Sequence, residues 1–588
     1  MNLTDVLALL SVDDLKRLTR HLPGPPVTGR KAELVAGITR MLLGPDLQSL
    51  WHALDANGQA AVAEAVYDPL GQFNAVLFRA KYKTPAALVN APERAGGQAS
   101  LPMSLFIYRI EERGGLGVPA DLRARLLQFV PKPPSAQVVS SLELDPDDDR
   151  LVRLTELEAV QELTLMLRCI EQERITVGEK TAQPSTATQR LLTARLVNGD
   201  FYPWVEKEDK YDQQVGPIKA FAWPMLLQAG GLAKRTGTRL GLSPAGIKAL
   251  TVAPVEVIGK LWDKWLSNSL LDEFSRVETI KGQNSPGRVM SAVAPRRDAI
   301  QQALQECPVG RWISVDEFSR FMQASDLLFE VTRDPWKLYI SDRQYGSLGY
   351  AGSHDWAILQ QRYILTVLFE YAATLGLIDV AFYDPTGPQW ESPDMGDMWG
   401  TEDLLFLSRY DGLAHFRINA LGAYVLGLTE DYQAQLPVSA MRLNVLPSLS
   451  IGVVAGSPDT VAQMMLDTWA QSLPDGLWRL DQAKALAALE KGHDITLLQS
   501  FLQDHSSAPL PQSVATFVAN CQRDASAVKL GAAAVLMNCR DAATAARIAE
   551  HSSTQRLCWR LDAKTLVVRA DQQDKFRQAL GTLGLGLA

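Results

Sequence analysis

Two short amphipathic stretches open the chain. Val6, Leu7, Leu9 and Leu10 lead into SVDDLKRLTRHL, where Ser11 is placed to cap a helix. Asp13 and Asp14 fall in its first turn, the end that the helix dipole makes favourable for acids. PGPP breaks that helix. AELVAGITRMLL predicts a second amphipathic helix, stopped by Gly44-Pro45. Residues 1–44 are thus expected to form a small helical unit. Residues 45–130 read as mostly helical, through DLQSLWHALDANGQAAVAEAVYD and DLRARLLQFV. Proline-rich and then acidic, PKPPSAQVVSSLELDPDDDR predicts a linker at 131–150 whose aspartates form a solvated spacer.

From residue 151 to about 430 one pattern occurs twice. In the first copy the helical stretch IKAFAWPMLLQAG leads into GLAKRTGTRLGL, a hairpin, and then LSPAGIKAL. In the second, ILQQRYILTVLFEYAATLG leads into LIDVAFYD, an acidic insertion containing Trp and Met, LLFLSRYDGLAHFRI and INALGAYVL. Both end in [Leu/Ile]-[Ser/Asn]-x-x-Gly-x-x-x-Leu. Ser243 or Asn419 is placed to cap a new helix as the strand finishes, and Gly246 or Gly422 lets that helix approach the sheet. Helix, hairpin and capped helix is the pattern of a winged-helix unit with a trailing helix. Residues 151–253 and 254–435 are read as two such units, the second including a helix-turn-helix candidate at 295–323. From 436 to 588 helices alternate with late strands, a small α+β module. The fold class expected is mainly α with small β-hairpins, a multi-domain α+β chain.

Composition narrows the compartment and the partners. The 588 residues suggest roughly three to five domains. With 47% hydrophobic and 21% charged residues, large cores are possible and wholesale disorder is not expected. Cys169, Cys307, Cys521, Cys539 and Cys558 are scattered, with no C-x-x-C pair, so neither a zinc finger nor a disulfide framework is predicted. No basic n-region precedes the first apolar stretch, and no run of 18 apolar residues occurs. A cytoplasmic protein without membrane contact is expected. A net charge of −8 argues against a nucleic-acid coat over the whole surface but leaves room for local basic patches, because salt screens beyond about 8–10 Å.

Little in the chain points to catalysis. Gly24 and Gly29 with Lys31 nearly match a P-loop, G-x-x-x-x-G-K-[ST]. Arg30 follows the second glycine, however, Ala32 follows the lysine, and a helix rather than a buried strand precedes the turn. The seven histidines show no H-x-H or H-x-x-x-H spacing, and the adjacent pairs His354-Asp355 and His493-Asp494 read as surface or helix-start groups. There is no G-x-S-x-G, and ESPDMGDMWGTED at 391–403 fits no EF-hand loop. No enzyme activity, catalytic residue, cofactor or metal is expected. The insertion at 386–403 reads as a mobile acidic segment, and its interleaved Met395, Met398 and Trp399 leave partner docking as the alternative.

Residues Val12 to Ile38, VDDLKRLTRHLPGPPVTGRKAELVAGI, instead resemble a SAP domain, a helix–extended loop–helix module that binds DNA. Leu15, Leu18, Leu22, Val27, Leu34 and Ile38 stand at that family's apolar positions, and Gly29, Lys31 and Leu34 match its G-x-K-x-x-L turn. The loop departs from the family, PGPP being about one residue longer. The resemblance implies that Thr28, Gly29, Arg30 and Lys31 meet the DNA backbone. Independently, N–H groups at a helix start beside Arg30 and Lys31 make a phosphate site. Lys16 and Arg20 on the preceding helix join this candidate set, and the alternative is a small protein-docking module. Lys234, Arg235 and Arg239 around Thr236-Gly237-Thr238 form a second candidate DNA contact, a basic hairpin tip, against the alternative of a solvated turn. The second hairpin carries Arg409 and Arg417 but also Asp411, which favours packing there. A third basic cluster, Arg79, Lys81, Lys83, Arg94, Arg109, Arg113, Arg123 and Arg125, reads as a solvated helical face that could extend a DNA path.

From about residue 150 onward the chain resembles bacterial helicase-associated proteins related to the region flanking the motor of XPB-type helicases. The supporting stretches are FAWPMLLQAGGLAKRTGTRLGLSPAGIKAL, RYILTVLFEYAATLGLIDVAFYDP and the run from Trp478 to Asp541, with its Gly492-His493-Asp494 between helices and LPQSVATFV before a strand. The resemblance implies DNA repair, remodelling or defence against foreign DNA, and supplies no catalytic residue. No paired motor lobes with a Walker A motif are seen. The expectation is a DNA-binding accessory, gripping duplex DNA by its backbone and docking a helicase or nuclease. The alternative is a protein-interaction scaffold with little DNA contact.

Overall fold

A computed structural model of the chain describes residues 1–587 except 25–26, 85–102, 111–114, 147, 173, 207–212, 285–289, 341–346, 350–355, 387–403, 433–440, 456–457, 459, 474–476, 507 and 529–531. Its contacts divide the chain into two units, Met1–Pro437 and Val438–Ala588. Helices predominate, with small antiparallel sheets, as the sequence pattern predicts.

The first unit begins with α1 (Leu3–Leu9), α2 (Val12–Thr19) and α3 (Lys31–Leu42). Ser11 caps α2 as expected, its Oγ accepting the Asp14 N–H at 3.1 Å. Leu15, Leu18, Leu22, Leu34 and Ile38 are all buried and Val27 packs against them, so the six apolar positions of the helix–loop–helix close on one another. Burying such side chains contributes about 1.5–3 kcal/mol each, enough to hold the two helices together. The core does not stop at residue 44. It continues through α4 (Leu47–His52), α5 (Ala56–Tyr67), β1 (Gln72–Phe73), α6 (Ala75–Tyr82), β2 (Tyr108–Ile110), β3 (Gly115–Gly117) and α7 (Ala120–Leu126). The first residues are tied to α7, where Asp121 Oδ1 accepts the Leu3 N–H at 2.8 Å.

Residues 131–150 are strapped down rather than free. Arg320 donates to the Gln137 carbonyl at 2.8 Å, Glu317 accepts the Val139 N–H at 2.8 Å, and Ser141 pairs with Trp312. Asp148, expected in a solvated spacer, pairs with Arg150 at 2.8 Å and accepts the Tyr383 hydroxyl.

The repeat in the sequence is a repeat in space. After β4 (Leu151–Arg153), the first copy runs α8 (Thr155–Gln172), an extended segment 175–177, α9 (Thr186–Thr193), α10 (Lys219–Ala229), β5 (Ala233–Thr236) and β6 (Arg239–Leu242). Two helices, α11 (Pro244–Ala249) and α12 (Pro254–Ser267), lead to the second copy. It runs α13 (Val293–Gln305), β7 (Trp312–Ser314), α14 (Val315–Ala324), α15 (Gln360–Thr366) continuing as a π-helical turn Val367–Ala372, β8 (Ile378–Phe382) and β9 (Leu413–Ile418), followed by α16 (Ala420–Val425). In each copy the first extended segment bonds to the last strand: Leu240 N–H to Ile175 O at 2.9 Å, and β7 to β9 in register.

The same bonds close both copies. Leu232 N–H donates to Leu227 O and Leu377 N–H to Ala372 O, each at 2.9 Å. Ser243 Oγ donates to Gly231 O at 2.7 Å where Asn419 Nδ2 donates to Gly376 O at 2.9 Å. Each then caps the next helix through Gly246 N–H (3.0 Å) or Gly422 N–H (2.9 Å). A Cβ on Gly246 would lie 2.1 Å from Leu232 O, and one on Gly422 1.9 Å from Leu377 O, which is the physical reason for glycine at both. The expected boundary at 253/254 crosses a shared sheet of order β4-β8-β9-β7, to which residues 151–153 supply the edge strand.

The second unit contains two small cores. One joins β10 (Arg442–Val445), β11 (Ser450–Ala455), α17 (Thr460–Trp469), β12 (Ala470–Leu473), β13 (Leu477–Leu480), α18 (Gln482–Glu490), α19 (Thr496–His505) and α20 (Gln512–Ala525). The other joins β14 (Ala534–Asn538), α21 (Ala542–Glu550), β15 (Cys558–Arg560), β16 (Thr565–Arg569) and α22 (Gln573–Thr582). Asp541 caps α21, and the Thr544 N–H it accepts at 2.7 Å holds its carboxyl down at about 2.

Candidate nucleic-acid interface

The N-terminal turn is built by the close of α2 on α3. Thr28, Gly29, Arg30 and Lys31 follow one another on the surface, all exposed, and Gly29 has φ +136°, a conformation that side-chain-bearing residues rarely adopt. Glu33, one turn into α3, reaches back so that its Oε2 accepts the Arg30 N–H at 2.6 Å. A Cβ on Gly29 would lie 2.0 Å from that oxygen. The expected phosphate cradle therefore already holds a carboxylate at one of its N–H groups. The Lys31 and Ala32 N–H groups have no intrahelical acceptor, as in any first turn, and the Arg30 and Lys31 side chains stand in solvent without an ion pair among the described residues. Lys16 and Arg20 are exposed one helical turn apart at the end of α2, while their neighbour Arg17 is paired to Asp14 at 2.6 Å.

The first hairpin places Lys234, Arg235 and Arg239 on its exposed tip. They are not equivalent. Arg235 turns back to the Gly178 and Glu179 carbonyls, leaving Lys234 and Arg239 as the open cations of the tip. No hydrogen bond or ion pair among the described residues joins this tip to the N-terminal turn.

Several of the other candidate basic residues are held in ion pairs or hydrogen bonds. In the second hairpin Arg409 is buried and paired to Glu278 at 2.8 Å, Arg417 pairs with Asp379 at 2.7 Å, and Asp411 with Arg362 at 3.1 Å, in keeping with the packing expected there. In the third cluster Lys81 pairs with Glu64 at 2.6 Å, Lys83 lies 3.9 Å from Glu317, and Arg123 donates to the Val66 and Asp68 carbonyls. Arg79, Arg109 and Arg125 remain exposed, and Arg94 and Arg113 lie outside the described residues. So does nearly all of the acidic insertion, as well as His354-Asp355. His493-Asp494, expected as surface or helix-start groups, stand at the start of α19, where Asp494 Oδ1 accepts the Thr496 N–H at 2.8 Å, while His493 itself is buried with its ring edge-on to Trp469.

Sequence reasoning missed the fate of the two helices that precede the hairpins. In α10 every residue from Lys219 to Leu227 is buried, and so is every residue of the turn Val367–Ala372. The signal was present: FAWPMLL and YILTVLFEYAA are apolar all round, the mark of a helix with no solvent face. Lys219 is neutralised inside by Glu158 at 2.9 Å and Glu162 at 2.6 Å, and Trp223 Nε1 donates to Glu162. Burial pushes the Glu162 carboxyl up to about 7 despite that lysine. Also unforeseen is an open apolar row in the second unit. Register places Leu536 and Trp559 on either side of Val567, and Leu536 and Trp559 are 59% and 52% exposed.

Residues 450–563 match the helicase conserved C-terminal domain family. The match begins at β11 and ends just past β15, so it lies within the second unit and contains the Gly492-His493-Asp494 and LPQSVATFV stretches. The chain is in this region similar to helicases, which supports a helicase-related role. No curated protein matches the chain. Among the described residues, no helix is long and apolar enough to cross a membrane, and no group of three or more His, Cys, Asp or Glu side chains is placed to hold a metal ion.

Proposed function

We propose that this protein is a non-catalytic DNA-binding accessory of a repair, remodelling or defence complex. It grips the duplex backbone through the SAP-like turn at Thr28–Lys31 and the tip of the first hairpin, and it docks a helicase or nuclease through its C-terminal unit. The observation that carries this reading is the exposed, unpaired Arg30–Lys31 pair at a glycine turn whose six supporting apolar residues are packed. The helicase-type match at 450–563 supports the association with a motor, and the exposed Leu536 and Trp559 on either side of the buried Val567 supply a surface of the kind that protein partners cover.

The two repeated copies are read as winged-helix units from their order of helix, strand, helix, helix and hairpin. A DNA-reading unit of that type lays its third helix in the major groove. Here those helices are α10 and α15, and both are buried. DNA contact by the copies is accordingly confined to the first hairpin, with no base readout. That burial, with the net charge of −8, is also the specific observation favouring a second reading, a scaffold whose repeated units bind other subunits. Binding to a short duplex, titrated with salt, separates the two. Backbone gripping predicts affinity that falls steeply with salt and is nearly indifferent to sequence. No binding at low salt would leave the scaffold.

A further inference from the structure

Beside the turn, α1 and α3 form the walls of an open groove of about 780 Å³. Val35 is its floor, and Ala8, Ala32 and Ala36 are its small-residue walls. Lys31 stands at the N-terminal end of its α3 wall and Arg40 at the C-terminal end, nine residues or about 13 Å along the axis. None of the eight lining residues is acidic. The acids nearest in sequence are engaged elsewhere: Asp5 accepts the Asn2 N–H, and Glu33 accepts the Arg30 N–H.

We propose that this groove docks an acidic amphipathic helix from a protein partner. Its apolar side chains lie over Val35 and between the alanines, and carboxylates at its two ends meet Lys31 and Arg40. Three alanines in a row of walls let a helix come close, and a cation at each end with no balancing acid favours an occupant with acids at both ends. Thr4 and Thr39 bring two hydroxyls to the lining, but Val35 and the alanine methyls would desolvate a phosphodiester chain and return no hydrogen bond, which favours an occupant with an apolar face. This site goes beyond the DNA reading and stands without it. The two share Lys31, so if both hold, peptide and duplex displace one another.

The test uses the full chain and a fluorescent helical peptide of about 18 residues, with Leu and Phe on one face and Glu at both ends of that apolar stretch, about 13 Å apart, followed by anisotropy. Saturable binding is expected, weakened at least about tenfold by Ala36→Trp, by Arg40→Glu, and by replacing the peptide's Glu with Gln. Both substituted side chains are exposed, and a thermal melt checks each variant. Should Ala36→Trp fail to melt like the parent, the Arg40→Glu and Gln-peptide arms decide. Absence of saturable binding, equal binding by the variants, or equal binding of the Gln peptide overturns the proposal. If Ala36→Trp instead weakens duplex binding and leaves the peptide untouched, the groove belongs to the DNA path and the proposal also fails.

Discussion

The two copies of the central repeat share a backbone and differ in charge. Both close with the same cap and the same glycine pressed against a carbonyl. In the first, the hairpin tip carries Lys234 and Arg239 into solvent. In the second, the arginines of the hairpin region, Arg409 and Arg417, turn inward onto Glu278 and Asp379, and Arg276 and Arg297 pair with Glu370 and Glu273. The lesson is that a repeated framework does not carry a repeated function. One copy keeps cations where a polyanion can reach them, and the other uses them to hold an interior together.

The sharpest break in that comparison is Glu370→Ala. It strands Arg276, whose guanidinium lies 3.0 Å from the Glu370 carboxylate and 3.6 Å from the centre of the Phe221 ring. Unfolding in urea should show a loss of about 3–5 kcal/mol. Next, Gly246→Ala and Gly422→Ala should each cost about 1–3 kcal/mol, and by similar amounts, if the two copies really share one geometry. A large cost at one and none at the other would dissolve the repeat.

A pH profile examines the first copy from inside. Lys219 serves two carboxylates, and Glu162 titrates near 7 instead of near 4.5. A raised acid binds its proton more tightly when folded, so its contribution to stability falls as pH rises from about 4.5 to about 7, with a slope of at most ~1.4 kcal/mol per pH unit. Glu162→Gln should flatten that decline in urea melts run between pH 5 and 8, and an unchanged slope would assign the decline elsewhere. Smaller in stability but larger in function, Lys234→Ala with Arg239→Ala should shift stability by less than about 0.5 kcal/mol. The same double variant should make the salt dependence of duplex binding shallower. The smallest effect expected is at Glu33. Glu33→Gln removes the carboxylate from the cradle and should tighten duplex binding by about 2–5-fold, the worth of one charge at a helix start.

Local features were legible in the sequence because short-range rules decide them. Ser11, Ser243 and Asn419 cap where their side chains and spacing said they would. Leu15 to Ile38 fill the helix–loop–helix core, and the late strands of the α+β module are present, with Cys558–Arg560 paired to Thr565–Arg569. What escaped was long-range. Nothing near Leu151 says that it will pair with Phe382, and nothing in PKPPSAQVVSS says that Arg320 and Glu317 will pin it. Charge was misleading for the same reason. Lys81 and Arg123 look like surface cations until Glu64 and the carbonyls around Asp68 arrive from elsewhere in the fold. At the candidate site the exposed residues were legible, but the Glu33 carboxylate inside the turn was not, since only the three-dimensional turn brings it under Gly29.

The central claim is that Arg30 and Lys31 grip a DNA backbone. Its most direct test is the salt dependence of binding to a short duplex, for the parent chain and for Arg30→Ala with Lys31→Ala. The account predicts a steep linear fall of log K with log salt for the parent, and a slope shallower by about 2 for the double variant, equally on unrelated sequences. Identical slopes and affinities for the two proteins would contradict it.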